Sequence, residues 1–286
     1  MDSKPTLLIT GISGYVGSWC CKMALESGKY TVKGTVRDKD NKKKVDLLRE
    51  AFGEHFDELI LVNADTNNEE SIKAVVKDVD YILHVAAPFP AKNPKDEEKE
   101  VIQPAINGNK YLLEACVKST VKKVIITSSI LTTVDQLQGN PIVDESSFSK
   151  ENNQMNAYYK SKIRSEKFAF DFMKALSPED KTFEMCTMHP GLISGPPCQR
   201  SCAGASIKTF LSLMDGTFPT KLPHTYLGHV DVRNVAEGHL AAIEKGKDGE
   251  RYILNNQTYR MREFAEAIRD EYGQYGYKVQ TKEFGK

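Results

Sequence analysis

The segment PTLLITGISGYVGSWC, from Pro5 to Cys20, constrains the fold more than any other stretch of the chain. A short apolar run at residues 6–10 leads straight into glycines spaced three apart, Gly11, Gly14 and Gly17, and these lead into residues of helical character. Glycine is disfavoured inside regular structure, so its repetition here marks a backbone that turns sharply and comes close to another group.

Beyond this segment the chain repeats one alternation. Strands are expected at residues 6–10, 30–36, 59–63, 81–85, 123–127 and 182–189. Helices are expected at 15–27, 42–51, 69–77, 97–119 and 155–175. Strand alternating with helix is the pattern of βαβ units and a parallel sheet. The strands are β-branched and nearly free of charge, as strands buried on both faces must be. The expected fold class is therefore α/β, a Rossmann-type doubly wound parallel sheet. In such a sheet the first strand-to-helix turn receives a dinucleotide pyrophosphate: the first glycine permits the turn, the second the close approach, and the third the packing of helix on strand. After residue 188 the rhythm breaks. HPGLISGPPCQRSCAG reads as a loop region that leaves the sheet and begins a smaller lobe. The division expected is residues 1–190, with 230–245 returning, as the NAD(P)-binding domain, and 191–229 with 246–286 as a small α/β substrate lobe.

Composition narrows the partners. The 286 residues carry 39 Lys plus Arg against 39 Asp plus Glu, so no global charge favours nucleic acid or an anionic membrane. No apolar run approaches bilayer-spanning length, and the chain begins without a signal-type segment, so a cytoplasmic location is expected. A small molecule is the expected partner of a monomer or homodimer. The six cysteines, Cys20, Cys21, Cys116, Cys186, Cys198 and Cys202, form no C-x-x-C pair; they read as packing or surface thiols, and no metal is expected.

Two further places carry chemistry. About 20 residues past the last glycine, where such folds read the adenosine ribose, stands Arg37. A guanidinium there pairs with a 2′-phosphate, and Lys42, Lys43 and Lys44 reinforce it, which favours NADP over NAD. Asp38 accepts a ribose hydroxyl instead if the strand ends one residue later. The second place is NAYYKSKIRSE: Tyr158 and Lys162 are four apart and share a helix face, whereas Tyr159 faces Ile163. A neighbouring ammonium is expected to lower the phenol's pKa and make it a proton relay. Upstream, VIITSSILTT ends a buried strand in Thr127, Ser128 and Ser129, at the edge where parallel sheets place ligands. His84, His189 and His229 lack companions at triad or metal spacing and read as structural.

Together the glycine triplet, the strand-end serines and Tyr-x-x-x-Lys resemble the extended short-chain dehydrogenase/reductase family. Within it the chain is most similar to the dihydroflavonol reductase, cinnamoyl-CoA reductase and aldehyde/ketone reductase group. The resemblance runs through TGISGYVGS, GTVRDKDNKKKVDLL, HVAAPF, VIITSSI, YYKSK, HPGLISGP and HVDVRNVAEGH. It implies Tyr158 as catalytic acid, Lys162 as its electrostatic and ribose-binding partner, and Ser129 as carbonyl binder, with Ser128 the alternative. For the cofactor it implies the turn residues Gly11, Ser13, Gly14, Tyr15, Val16 and Gly17. It assigns Arg37 and Lys44 to the 2′-phosphate, Asp65 with neighbouring Thr66 to the adenine side, Val85, Ala86 and Ala87 to the cofactor wall, and Pro190 to the nicotinamide end. Two departures stand out. Where dihydroflavonol reductases place an asparagine five residues after the serine, this chain has Val134, which argues against a flavonoid. Family members also run some tens of residues further, so a shortened or remodelled lobe is expected. The reading is an NADPH-dependent carbonyl reductase. The competing readings are a nucleotide-sugar epimerase or dehydratase, a steroid-type dehydrogenase/isomerase, and a non-catalytic Rossmann subunit.

Overall fold

A computed structural model describes residues 3–87, 94–134, 143–201, 204–218 and 221–284. Pro88 and Phe89 of the HVAAPF motif, Cys202, and residues 135–142, which follow Val134, lie outside the described residues. The first half alternates as expected: β1 (Thr6–Ile9), α1 (Tyr15–Ser27), β2 (Thr31–Val36), α2 (Lys42–Phe52), β3 (Ile60–Asn63), α3 (Glu69–Val76) and β4 (Tyr81–His84). There follow α4 (Gln103–Cys116), β5 (Lys123–Thr127), α5 (Ala157–Ala175), β6 (Glu184–Pro190), β7 (Leu192–Ser194) and α6 (Ala205–Asp215). The chain continues with β8 (Tyr226–Asp231), α7 (Val232–Lys245), β9 (Arg251–Leu254), β10 (Gln257–Arg260) and α8 (Met261–Tyr272).

Seven strands form one sheet in the order β3-β2-β1-β4-β5-β6-β9, every neighbouring pair parallel. Alternate side chains of a strand serve opposite faces. Leu7 and Ile9 pack with Cys20 and Ala24 of α1, Leu48 of α2 and Ala236 of α7. Leu8, Ile82 and Val124 pack on the other face with Ile72 of α3, Leu112 of α4 and Ala169 of α5. Both faces are thus covered, as the uncharged strands required.

The order reverses between β1 and β4, and the turn at this switch point is held by Thr10. Its hydroxyl oxygen accepts the backbone N–H of Val85 and of Ala86, each at 3.0 Å, and its own proton goes to His84 Nδ1 at 3.0 Å. His84 is buried, and desolvation pushes its pKa down to about 4, in keeping with a neutral ring that accepts. Gly11 takes φ +71°, and a Cβ on Gly17 would lie 2.4 Å from the Gly11 carbonyl oxygen. The glycine turn and the helix after it are therefore packed backbone against backbone.

Three differences from the sequence reading have local causes. The long helix at 97–119 opens with a π turn, Glu98–Ile102, before α4, because Pro104 in the first turn has no N–H to continue the regular ladder. The proline-rich loop holds a strand, β7, parallel to β8. And β9, placed by the sequence in the small lobe, is the seventh strand of the main sheet beside β6. The boundary expected at 246 thus falls too early. The second sheet, β10-β8-β7, and the helices α6 and α8 enclose their own core of Leu213, Leu222, Met261, Ala265 and Ile268.

Gly17→Ala must push α1 away from the turn at Gly11 and Ile12 and is expected to destabilise the protein by about 1–3 kcal/mol. Gly273→Ala is the control: its backbone is helical and a Cβ there meets nothing closer than 3.7 Å. Equal melting temperatures for the two variants would refute the close-packing argument.

Candidate active site

The carboxyl ends of the central strands open onto one continuous cleft of about 1690 Å³, lined by both the main sheet and the small lobe. Every residue that the resemblance assigned to cofactor or catalysis lines it, namely the glycine turn with Ser13, Tyr15 and Val16, then Arg37, Lys44, Asp65, Thr66, Val85 to Ala87, Ser129, Tyr158, Lys162 and Pro190; of the lysine run 42–44, Lys42 does not.

At the near end of the cleft stands the N-terminus of α1. Four helices close theirs with side chains, α2 with Asn41, α3 with Asn68 (accepting from Ser71 N at 2.9 Å), α5 with Asn156 (accepting from Tyr159 N at 3.0 Å) and α7 with Asp231, whereas α4 and α6, like α1, carry no side-chain cap. Gly14 caps α1 with no side-chain bond and no acidic residue in the first turn. Its leading N–H groups and the positive end of its dipole therefore face the cleft, an arrangement suited to a phosphate group. Gly14 also keeps the cradle shallow, since a Cβ would sit 3.2 Å from the Gly11 carbonyl oxygen. A loop from the small lobe covers this turn: Tyr15 donates to the Gly195 carbonyl at 2.6 Å, Trp19 to that of Pro196 at 2.8 Å, and Gln199 to that of Ser13 at 2.5 Å. Nothing in the sequence linked these residues, because the contacts span about 180 positions.

Arg37, at the tip of β2, is exposed and lines the cleft with Lys43 and Lys44, which sit in the first turn of α2 behind its Asn41 cap. Asp38 does not line it; its carboxylate accepts the N–H of Asp40 at 3.0 Å and closes the turn between β2 and α2. Asp65 is exposed after β3 and accepts from Asn67 N at 2.9 Å.

At the far end, α5 presents Tyr158 and Lys162 on the face toward β5. Lys162 is buried, donates to the Thr127 carbonyl at 3.1 Å, and lies 5.9 Å from the centre of the Tyr158 ring. The Thr127 hydroxyl is fixed in turn by His239 Nε2 at 2.7 Å, while His239 Nδ1–H donates to Val235. The electrostatics differ from the sequence expectation. Burial pushes the Tyr158 phenol up to about 12 and the Lys162 ammonium down to about 8, so desolvation of both groups outweighs their mutual influence. Tyr159 points the other way, donating to the Val134 carbonyl at 2.7 Å.

The two serines also separate. Ser128 donates its proton to Glu166 Oε2. Both serines line the cleft, but the Ser129 oxygen accepts from Leu131 N at 3.3 Å, which leaves its hydroxyl proton for a ligand. Behind them lies a buried polar layer that the sequence did not disclose. Glu166 receives Arg251 at 2.8 Å and the Thr132 hydroxyl at 2.8 Å. His189 lies 3.1 Å from the Ser129 carbonyl and 2.8 Å from the Thr187 hydroxyl. His84 and His189 are thus structural, and His229 sits among Phe210, Tyr259 and Phe264 in the small lobe. Among the described residues no group of three or more His, Cys, Asp or Glu is placed to hold a metal, and no helix is long and apolar enough to cross a membrane.

Known proteins align along this whole architecture. Cinnamoyl-CoA reductase 1 of Arabidopsis thaliana is 33% identical over 283 residues, covering 97% of this chain and 78% of its own. Dihydroflavonol 4-reductase of Dianthus caryophyllus is 31% identical over 287 residues, covering 98% and 77%. Among solved structures, Gre2 of Candida albicans in complex with NADPH superposes with a TM-score of 0.81 at 27% identity, over 96% of this chain and 85% of that one. The profile of the 3-beta hydroxysteroid dehydrogenase/isomerase family matches residues 8–266, from the first strand to the last helix, and the chain belongs to that family.

Proposed function

We propose that this protein is an NADPH-dependent reductase that converts the aldehyde or ketone carbonyl of a small organic substrate to an alcohol. The observation that carries the reading is the single cleft joining the Arg37–Lys44 end, the open N-terminus of α1, and the Ser129–Tyr158–Lys162 group. The named reductases among its relatives support it, as does the NADPH held by Candida albicans Gre2. The cofactor supplies a hydride to the carbonyl carbon. The protein's own residues do the rest. Ser129 donates a hydrogen bond to the carbonyl oxygen and orients it. Tyr158 keeps its proton throughout the neutral range, because burial holds its pKa high, and releases it to the alkoxide, a stronger base than phenolate. Lys162 offers a positive charge beside that transfer and a donor to the ribose. The test of the reading is NADPH oxidation against a panel of aldehydes and ketones; no turnover with any of them would overturn it.

Arg37→Asp replaces the cation at the phosphate end by an anion and is expected to weaken NADPH binding at least about tenfold, roughly 1.4 kcal/mol. NADH binding should be retained or improved. A wild type that prefers NADH would shift the ribose contact to Asp38.

Tyr158→Phe removes the donor without removing the ring and is expected to lower kcat by at least about 100-fold at nearly unchanged NADPH affinity. Tyr159→Phe removes only the bond to Val134 and should change kcat within a few-fold. Comparable losses in both would undo the assignment of the acid.

The pH dependence is set by Lys162. Since its ammonium is held near 8, the rate of reduction should fall as pH rises through that value and the charge is lost. Lys162→Met should lower both cofactor binding and turnover and lack this alkaline limb. A limb near 8 that survives in the Met variant assigns it to another group.

A further inference from the structure

We propose that Glu166 is a positioning residue of this site: anchored by Arg251, its carboxylate takes the Ser128 hydroxyl, leaving Ser129 to the substrate, and serves as the counter-charge that keeps Lys162 an ammonium. The inference rests on the reductase reading for its catalytic meaning, and on geometry for its substance.

Glu166 is four residues after Lys162 on α5, hence on the same face, and both side chains are buried. The two line a small cavity of about 20 Å³, room for one water, together with His84, Asn109, Thr127 and Ser128. A carboxylate in such a place is costly unless fully partnered. It is: Oε1 meets Arg251 Nη2 at 2.8 Å, and Oε2 accepts the hydroxyls of Thr132, at 2.8 Å, and of Ser128. Thr132 has one proton, so while it donates to Glu166 it serves as acceptor for Arg251 Nη2 at 3.0 Å. His189, through Nδ1–H to the Ser129 carbonyl, fixes the backbone of Ser129, the serine whose proton is not taken by Glu166. Proton by proton, the layer consumes the hydroxyl of Ser128 and leaves that of Ser129.

Arg251 carries the same arrangement to the substrate end. Its Nη2 also donates to the Thr132 carbonyl at 3.1 Å, its Nη1 to the carbonyls of Glu145, at 2.9 Å, and of Ser147, and its guanidinium lies 4.1 Å from the Phe148 ring centre. Val143, at the start of this segment, lines the cleft. One buried pair, Glu166 with Arg251 (each 4% exposed in its side chain), thus joins α5, β9, the strand-end serines and a wall of the substrate space.

Titratable and polar groups from several elements face Lys162. From α5 these are Tyr158 and Glu166; from β4, His84, neutral and accepting from Thr10; from β6, His189, likewise pushed toward its neutral form by burial. The end of β5 contributes the Thr127 carbonyl, α4 the neutral Asn109, and β9 the cation Arg251, which stands behind Glu166. Among these described residues Glu166 is the one anion, and its charge opposes the desolvation that lowers the Lys162 pKa.

The test reads Lys162 directly. With 15N-labelled lysine, the side-chain amine resonance assigned by its loss in Lys162→Met is titrated in wild type, in Glu166→Gln, and in Glu166→Gln/Arg251→Met, which leaves no lone buried charge. The expected result is a Lys162 midpoint lower by about one pH unit, tenfold in proton affinity, in both variants. Reduction kcat should fall ten- to 100-fold while the NADPH dissociation constant stays within a few-fold, and the alkaline limb should move to lower pH by the same amount as the resonance. An unmoved Lys162 midpoint in both variants overturns the proposal, whatever the loss of rate. Failure of the wild type to oxidise NADPH with any carbonyl overturns the reductase reading alone, since the resonance still decides the role of Glu166.

Discussion

The structure depends on a gap that the strand order makes unavoidable. The chain runs outward from β1 through β2 to β3 and then crosses to β4 on the other side of β1. No helix can cover the point where the two directions part, and the carboxyl ends of β1 and β4 are left facing open space. That space must be bounded by backbone at its inner edge. Thr10 supplies the tie, taking two N–H groups from the end of β4, and Gly11 and Gly17 let α1 start close enough to aim its N-terminal end into the gap.

From that point the cleft is built by borrowing. The small lobe lends the 195–199 loop, which reaches back to Ser13, Tyr15 and Trp19. α5 lends Tyr158 and Lys162, and β5 lends its terminal serines. Because parallel strands all end at the same edge, residues far apart in sequence arrive at one place without any one of them being near another along the chain. The polar groups brought along have to be partnered away from bulk water, and the layer of Glu166, Arg251, Thr132 and His189 does this directly beneath the serines.

Burial also sets the chemistry of the far end. A lysine four residues from a tyrosine suggests a phenol made more acidic. Enclosure acts more strongly, so the phenol is held protonated and the ammonium is brought within reach of neutral pH. On the proposed reading of Tyr158 as the donor, that is a workable division of labour: its proton would stay in place until an alkoxide forms, and the titrating group in the ordinary pH range would be Lys162 rather than the acid itself.

The sequence by itself determined the elements whose signal is local. Alternation of apolar runs and helical patterns placed the strands up to β6, glycine spacing placed the turn, and a four-residue interval put Tyr158 and Lys162 on one helix face; each depends only on the period of the backbone. Arg37 was legible because the tip of the second strand lies at a regular distance from the glycines. Tertiary structure alone decided the rest. β9 joined the main sheet because the edge of β6 offered unpaired N–H and C=O groups, which a four-residue strand can satisfy but does not announce. Ser129 was separated from Ser128 only by a carboxylate 38 positions later, and that carboxylate was anchored by an arginine 85 positions beyond it. The direction of the Tyr158 shift turned on how far the assembled walls screen the half-buried ring from water, a property of the tertiary structure and not of any neighbouring pair of residues.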